Sequence, residues 1–362
     1  MKHIPPGGSG PATGPDGARH KSREHERLGR ERLKAGDGTP FSGLSPEYVV
    51  AAVEALGMRS DGRLLALNSY ENRVYQVGMD EGAPLVVKFY RPGRWSDAMI
   101  LEEHAFTQEL AAEEIPAVPP IVSADGRTLH QFGGFRLAAF VRRGGRAPEL
   151  SDDATLSWLG RFLGRIHAVG AAAPFQHRPE LTLAEFGEEP SAYLLAGGFL
   201  PDELADRYRA SVARALAGVR RCFAEAGAFR RIRLHGDCHA GNVLWTEAGP
   251  HFVDFDDSRS GPAVQDLWML LSGNREEMAR QMDRILAGYE RFRDFDRREL
   301  HLVEALRTLR LIHYSAWIAR RWDDPAFPAG FPWFNTRGYW QERIAEIEAQ
   351  IALMDEPPLA LD

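Results

Sequence analysis

The sequence predicts a mixed α/β protein of two lobes, because its strand-like and helix-like segments concentrate in different parts of the chain. Short apolar or alternating runs separated by turn residues dominate from residue 64 to 141, whereas helical apolar spacing dominates after residue 151. This change of pattern is typical of two lobes that share a cleft. We expect a disordered tail at 1–42, an N-terminal lobe at 43–145 and a C-terminal lobe at 146–362.

Composition excludes several classes of protein. The 362 residues are 44% hydrophobic, which is enough for a substantial core, and the net charge of -7 gives no general attraction to nucleic acid or anionic lipid. Two cysteines suit a reducing compartment. No apolar run approaches the ~18–20 residues of a membrane span. We expect a cytoplasmic protein that is a monomer and has no nucleic-acid or membrane partners.

The expected N-terminal lobe begins with a helix and continues as a small sheet. Ser45 is a candidate N-cap before Pro46, and Gly57 is a natural stop for the helix that follows. Three short runs at 64–68, 73–79 and 85–90 then predict an antiparallel meander, and the third carries a lone lysine, Lys88.

The next segments continue this alternation before helices take over. Apolar spacing predicts a helix at 98–112, and strand patterns follow at 127–130 and 135–141. The stretch 142–150 breaks the pattern and is a candidate connector, and 153–169 again has helical spacing.

One segment concentrates the residues that phosphate chemistry requires. Residues 234–245 (LHGDCHAGNVLW) and 251–257 (HFVDFDD) are two strand-like runs that flank polar turns. Phosphoryl transfer needs a positioned nucleophile and a magnesium ion that neutralises phosphate charge. In that scheme Asp237 orients or accepts the substrate proton, and Asn242 and Asp254, which follow it by five and seventeen positions, hold Mg²⁺.

The same segment resembles a known family. HGDCHAGNVLW followed by FVDFDD is similar to the catalytic loop and metal aspartate of the aminoglycoside phosphotransferase and choline kinase superfamily. Stretches at 68–75, 87–92, 261–271 and 324–328 resemble its bacterial serine/threonine protein kinases connected with stress response. The likeness spans roughly 44–361 and implies a bilobal protein-kinase-like fold with a small antiparallel-sheet N-lobe and a larger helical C-lobe.

The resemblance also implies a role for each motif residue. Asp237 is the implied proton acceptor, and Asn242 and Asp254 are the implied magnesium ligands. Ser69 corresponds to a contact in the nucleotide-phosphate loop, and Lys88 to the strand lysine that reaches the α- and β-phosphates of ATP.

The acidic partner of Lys88 is expected from the next helix. Glu102 and Glu103 are adjacent and face about 100° apart on a helix. The family spacing to a core leucine, here Leu110, favours Glu103 and leaves Glu102 as the alternative.

Two departures from the eukaryotic kinase pattern bear on regulation. The loop from Asn68 to Arg73 contains no glycine, so backbone N–H groups near Ser69 replace a glycine-rich flap over the phosphates. No D-F-G and A-P-E pair marks an activation loop, and His239 stands where many protein kinases carry lysine. Control by activation-loop phosphorylation is therefore not expected.

For most other residues near the motif we favour structural roles over catalytic ones. We interpret His235 as a structural brace of the loop, and Asp266 as a buried acceptor for loop N–H groups. Cys238 is more typical of a small packing group than of a redox switch, and with His235 and His239 it does not match a known zinc spacing. Asp256 and Asp257 compete with Asp254 for a metal, cap a turn or bind a second ion.

The sequence thus predicts an ATP- and Mg²⁺-dependent serine/threonine protein kinase. A small-molecule kinase acting on an aminoglycoside, choline, homoserine or a sugar stays open, because the same three side chains serve all of these reactions. A nucleotide-binding pseudokinase is the other alternative, although intact Lys88, Asp237, Asn242 and Asp254 argue against it.

Overall fold

The computed structural model describes residues 39–361, so the disordered tail predicted at 1–42 lies outside the described residues except for its last four positions. By its internal contacts the described chain forms two compact units. The first comprises 39–92 and 123–139, and the second comprises 93–122 and 140–361. The lobe boundary expected between residues 145 and 146 stays a prediction.

The first unit is built on an antiparallel sheet. Helix α1 (Pro46–Ala55) starts where Ser45 Oγ accepts the Tyr48 N–H at 3.3 Å, as a serine N-cap should. Its Tyr48 hydroxyl donates to the Phe132 carbonyl, which ties the helix to the sheet. The strands are β1 (Ser60–Leu67), β2 (Arg73–Met79), β3 (Leu85–Phe89), β4 (His130–Phe132) and β5 (Phe135–Val141), in the spatial order β1-β2-β3-β5-β4.

The predicted meander is confirmed, and one strand lies later than expected. Residues 123–127 form a turn in which the Ser123 N–H donates to Arg127 O at 2.9 Å and the Arg127 N–H to Asp125 Oδ1 at 3.2 Å. These local bonds use the backbone groups that a strand at 127–130 would need, so β4 begins at His130.

The second unit is mainly helical, and its expected helices at 98–112 and 153–169 are confirmed. Its helices are α2 (Asp97–Ala112), α3 (Asp153–Gly170), α4 (Glu189–Ala196), α5 (Asp202–Ala226), α6 (Val264–Trp268), α7 (Arg275–Tyr289), α8 (Val303–Ala319), α9 (Ala326–Gly330) and α10 (Arg337–Met354). A π-helical turn (Ala184–Glu188) precedes α4, and a 3-10 helix (Arg297–Leu302) precedes α8.

Helices α3 and α7 approach closely because glycine faces backbone at their contact. A Cβ on Gly160 would lie 1.9 Å from Ile285 O, and one on Gly288 would lie 2.0 Å from Ser157 O. Only glycine permits such an approach. The tight pair places side chains of both helices behind the loop that carries the motif residues.

Two short antiparallel ladders carry that loop. Strand β6 (Ile232–Leu234) pairs with β9 (Arg259–Gly261), and β7 (Val243–Thr246) pairs with β8 (Gly249–Phe252). The 3-10 turns Ala240–Asn242 and Phe255–Asp257 lie on either side of the β7–β8 hairpin. The mixed fold with a helical C-terminal part is therefore confirmed. No helix within residues 39–361 is both long and apolar enough to cross a bilayer.

Candidate active site

Asp237 follows β6 on a backbone turn that only glycine allows. Gly236 has φ +87°, and a Cβ at this position would lie 2.2 Å from the carbonyl oxygen of Asp257. The turn brings the chain of Asp237 against the segment that follows Asp254. The close approach of the two motif segments therefore depends on glycine at position 236, which has no side chain.

A buried carboxylate holds this turn from behind. Asp266 accepts the His235 N–H at Oδ2 and the Gly236 N–H at Oδ1, both at 2.9 Å, and it is fully buried. His167 Nε2 lies 3.0 Å from Asp266 Oδ2, and His167 Nδ1 lies 3.0 Å from the Tyr289 hydroxyl. The predicted structural role of Asp266 is confirmed, and α3 and α7 supply its support.

His235 joins the two motif segments. Its Nε2 lies 3.0 Å from Val253 O, and the Asp237 N–H donates to its Nδ1 at 3.4 Å. This pattern fits a neutral ring with the proton on Nε2. The ring is buried, so its predicted role as a brace is confirmed.

The Asp237 carboxylate has two basic neighbours. Arg310 Nη1 of α8 donates to Oδ1 at 2.6 Å, and His239 Nε2 lies 3.5 Å from Oδ2. Burial raises the pKa of Asp237, but the His239 ring and the charge of Arg310 outweigh it, so the pKa lies well below its usual range. Asp237 is therefore a carboxylate, ready to accept a hydrogen bond.

Asn242 belongs to the same loop through its own amide. Its Nδ2 donates to Asp237 O at 3.0 Å, and its main-chain O accepts the Val253 N–H at 3.0 Å. The first bond uses the amide nitrogen and leaves Oδ1 as the atom for a cation. The structure thus brings Asn242 together with the segments of Asp237 and Asp254.

Asp254 has an unusual backbone conformation for a residue other than glycine. Its φ of 60° and ψ of 63° lie in the left-handed region, and its side chain is exposed. Aspartate tolerates this region better than most residues, but at a cost on the order of 1 kcal/mol. Two oxygen donors, Asn242 Oδ1 and the Asp254 carboxylate, fit a hard cation such as Mg²⁺.

Asp256 and Asp257, the expected competitors for metal, are engaged with arginines. Arg94 contacts Asp256 Oδ2 and donates to Asp257 Oδ1 at 2.7 Å, and Arg259 Nη2 donates to the same Asp257 oxygen at 3.1 Å. Burial raises the pKa of Asp257, but Arg94 and Arg259 hold it well below the usual range. Within residues 39–361, no three His, Cys, Asp or Glu side chains are grouped to hold a metal ion.

Cys238 lies beside Asp237 but is inaccessible. Its side chain is fully buried, and this burial together with the charges of Asp266 and Asp237 raises the pKa of the thiol well above its ordinary value. A buried, protonated thiol is a poor nucleophile. The packing role expected for this cysteine agrees with its surroundings.

Lys88 and Ser69 lie in the first unit. Lys88 is on the central strand β3 with 6% exposure, and its Nζ lies 5.0 Å from the centre of the Tyr90 ring. Lysine is rarely buried to this extent unless it is paired. Ser69 Oγ donates to Asn72 O at 3.1 Å, and Asn72 Oδ1 accepts the Arg91 N–H at 3.0 Å, so the glycine-free loop is internally braced.

The two adjacent glutamates of α2 have different surroundings. The Glu102 carboxylate accepts three backbone N–H groups of residues 176–178, at 2.5, 2.8 and 2.7 Å. Glu103 is buried and lies 3.6 Å from Arg178 Nη2. Glu102 is thus engaged with a loop of its own unit and Glu103 with Arg178, and the choice of Glu103 as the acidic partner of Lys88 stays a prediction.

Sequence reasoning missed Arg310, Arg178, Arg94 and His167. The three arginines reach the motif segments from other parts of the chain, and His167 supports them through Asp266. None of the four belongs to a local pattern around residues 234–257. Helical periodicity predicts whether such a residue lies on a helix, but it does not indicate which residues its side chain contacts.

Relatives of known name share nearly the whole chain. The model of the phosphotransferase enzyme family matches residues 63–303. Stress response kinase A of Salmonella typhi is 43% identical over 321 residues, covering 89% of this chain and 97% of the relative. A relative from Salmonella typhimurium named serine/threonine protein kinase RdoA is 43% identical over the same shares.

Solved structures share the fold at lower identity. An amicoumacin kinase in complex with AMP-PNP, Ca²⁺ and its ligand has a TM-score of 0.66 at 19% identity, covering 88% of this chain and 97% of that one. A microcompartment-associated aminopropanol kinase has a TM-score of 0.64 at 20% identity, covering 85% and 96%. Together with the family match and the relatives of full length, this shows that the chain belongs to the phosphotransferase enzyme family, as a kinase related to stress response kinase A.

Proposed function

We propose that this kinase transfers the γ-phosphoryl group of ATP to a serine or threonine hydroxyl of a protein, with Mg²⁺ as cofactor, in a bacterial stress response. The observation that carries the proposal is the 43% identity over 97% of a relative named as a serine/threonine protein kinase. The loop of Asp237, Asn242 and Asp254 supplies the groups that the reaction needs.

Asp237 is the proposed base. Arg310 occupies its Oδ1, so the acceptor hydroxyl would donate to Oδ2, beside the His239 ring. Because phosphoryl transfer depends mainly on positioning, a fixed and ionised carboxylate suits the task even when its pKa is low. The hydroxyl proton passes to Asp237 as the new P–O bond forms and the bond from the γ-phosphorus to the bridging oxygen of ADP breaks.

Asn242 and Asp254 are the proposed magnesium ligands. The ion, when bound with nucleotide, would neutralise phosphate charge. Asn242 would contribute Oδ1, because its Nδ2 is used inside the loop, and Asp254 would contribute its exposed carboxylate. We assign Ser69 and Lys88 to the nucleotide phosphates, and we assign Glu103 to the same nucleotide site.

A small-molecule acceptor is the second candidate, because structural neighbours are named as kinases of amicoumacin and aminopropanol. The charges around Asp237 disfavour the cationic members of that class. Arg310 already pairs with its carboxylate, and a cationic acceptor would meet a like charge there. The presence of Lys88, Asp237, Asn242 and Asp254 argues against the pseudokinase alternative.

In the deciding experiment the purified protein is incubated with radiolabelled ATP and Mg²⁺ in two parallel sets. One set contains generic protein acceptors, and the other contains a panel of small alcohols and aminoglycosides. We expect label in protein, including low-level autophosphorylation, and none in the small molecules. Label confined to a small molecule would show that the acceptor is that molecule and not a protein. The Asp237→Ala variant measures the label that is incorporated without the proposed base.

We further propose that the protein works as a cytoplasmic monomer. Its two cysteines, Cys222 and Cys238, are both unpaired and buried, which suits a reducing compartment. Light scattering coupled to gel filtration should give the mass of one chain, 40.4 kDa.

A further inference from the structure

Arg178 contacts the segment that directly follows Asp254. It lies between α3 and the π-helical turn, and its side chain has no exposed surface. Its Nη2 donates to Phe255 O at 3.1 Å and to Asp256 O at 2.7 Å. One guanidinium therefore holds the two carbonyl groups that come immediately after the proposed magnesium ligand.

Arg178 is itself anchored on helix α2. The Glu102 carboxylate accepts its main-chain N–H at 2.7 Å, in addition to those of the two residues before it. The guanidinium carbon lies 4.9 Å from the centre of the Trp95 ring, and Nη2 lies 3.6 Å from Glu103 Oε2. Both adjacent glutamates of α2 thus contact the residue that binds the Asp254 segment.

The Asp254 segment needs such support because its conformation is strained. Asp254 has φ 60°, which costs on the order of 1 kcal/mol and persists only where surrounding contacts impose it. Other arginines act on neighbouring atoms: Arg94 binds the side chains of Asp256 and Asp257, and Arg259 Nε donates to Asp257 O at 3.0 Å. Arg178 adds the bonds to the main chain nearest Asp254.

We propose that Arg178 is a positioning residue that links the glutamate pair of α2 to the Asp254 segment and thereby fixes the Asp254 carboxylate for the magnesium ion. The inference rests on the proposed function for the role of Asp254. A lysine would be a poor replacement, because its ammonium lacks the planar group whose carbon lies 4.9 Å from the centre of the Trp95 ring while Nη2 donates to two carbonyl oxygens.

The test compares full-length wild type with Arg178→Met, Arg178→Lys and Arg230→Met. Arg230 is a matched control, because its Nη2 also donates to a main-chain oxygen, Ala171 O at 2.7 Å, but at an exposed site. One readout is amide hydrogen exchange of residues 253–258 without nucleotide. The other is the Mg²⁺ midpoint, the Mg²⁺ concentration at which half of the Mg²⁺-dependent increase in affinity for a fluorescent ATP analogue is reached.

We expect exchange at 253–258 to be at least about tenfold faster in Arg178→Met. We expect the Mg²⁺ midpoint to rise by about 10–100-fold, the usual effect of losing a residue that orients a metal ligand. Nucleotide affinity without Mg²⁺ should not change, Arg178→Lys should resemble Arg178→Met, and Arg230→Met should resemble wild type.

The inference is overturned if Arg178→Met keeps wild-type exchange at 253–258 and a wild-type Mg²⁺ midpoint, or if Arg178→Lys restores both. If instead the protein does not use Mg²⁺ with its nucleotide, which is the part of the proposed function on which the inference rests, wild-type nucleotide affinity would not respond to Mg²⁺. In that case the exchange measurement, which uses no ligand, still decides whether Arg178 fixes the segment.

Discussion

Arg310 and Asp237 form an ion pair in which Arg310 Nη1 lies 2.6 Å from Asp237 Oδ1, across 73 positions of sequence. The Arg310 side chain is 42% exposed and that of Asp237 is 23% exposed. The pair is thus partly open to water, which reduces what it adds to stability. Its main consequence is geometric, because it fixes the rotamer of the proposed base and reserves one oxygen for the acceptor.

Arg310→Gln should therefore impair turnover more than binding. Without the guanidinium the Asp237 carboxylate can rotate, and misplacement of a catalytic group by about 1 Å can cost up to 10²-fold in rate. We expect kcat to fall by about 10- to 100-fold while the KM for ATP changes little. Steady-state kinetics with a protein acceptor that is labelled in the experiment described under Proposed function measure both constants.

The matched control for Arg310 is Arg209→Gln. Arg209 also pairs with an aspartate, Asp206, but both lie on the exposed surface of α5. This variant should keep wild-type kcat. A wild-type kcat for Arg310→Gln as well would show that the pair has no part in positioning Asp237.

Substitution of the two motif aspartates should separate chemistry from metal binding. Asp237→Ala removes the proposed base and should lower kcat by at least about 10²–10⁴-fold, while Mg²⁺-dependent nucleotide binding is kept. Asp254→Ala should weaken that binding as well, because it removes one of two proposed protein ligands. Calorimetric titration with a non-hydrolysable ATP analogue and Mg²⁺ measures the difference, and retained turnover in Asp237→Ala would sink the mechanism.

The sequence predicted most of the fold because its signals are local. Ser45, Gly57 and the alternating runs placed α1 and the meander correctly, since caps, turns and strand periodicity act over a few residues. Two strand bounds differ from the prediction. Strand β1 starts at Ser60, four residues before the predicted run, and β4 starts at His130 because short-range bonds from Ser123 and Asp125 form a turn that the apolar pattern does not show.

The supports of the candidate site could not be predicted in the same way. Asp237, Asn242 and Asp254 lie close together in sequence, so their motif is visible in a single segment. Arg310 and Arg178 lie 73 and 77 positions from Asp237 and Phe255, the residues that they bind. Nothing local distinguishes such an arginine from the many that lie on solvated surfaces.

Gly236→Ala should damage the site through the backbone. An added Cβ would lie 2.2 Å from Asp257 O, and φ +87° is strained for alanine. We expect a loss of roughly 2–4 kcal/mol in the free energy of unfolding, together with a large loss of turnover. Urea denaturation is the measurement, and Gly144→Ala is the control because its Cβ would meet nothing within 4 Å. Equal stability of the two variants would show that the turn can relax.

Glu299→Gln should stabilise the protein, and increasingly so at higher pH. Glu299 is buried and accepts the Val264 N–H at 2.8 Å, at the start of the helix that carries Asp266. Burial raises the pKa of Glu299 from 4.5 to about 7, against the lowering effect of the Val264 bond, and the nearby charge of Asp296 adds to the rise.

The sign of the pH effect follows from proton binding. Below pH 4.5 both states carry the proton, and between 4.5 and about 7 the unfolded chain releases it while the folded protein keeps it, so stability falls as pH rises. Glutamine keeps an acceptor for Val264 but cannot ionise. The stability gained by Glu299→Gln should grow through this window to about 3 kcal/mol and then level off.

Urea denaturation at pH 5 and pH 8 tests this expectation. Glu290→Gln is the comparison, because it removes a carboxylate from an exposed pair with Arg297. A gain for Glu299→Gln that is no larger at pH 8 than at pH 5 would contradict the prediction. It would mean that the folded protein accommodates the ionised carboxylate at the start of α6, and that the N–H groups there stabilise the charge enough to offset its burial.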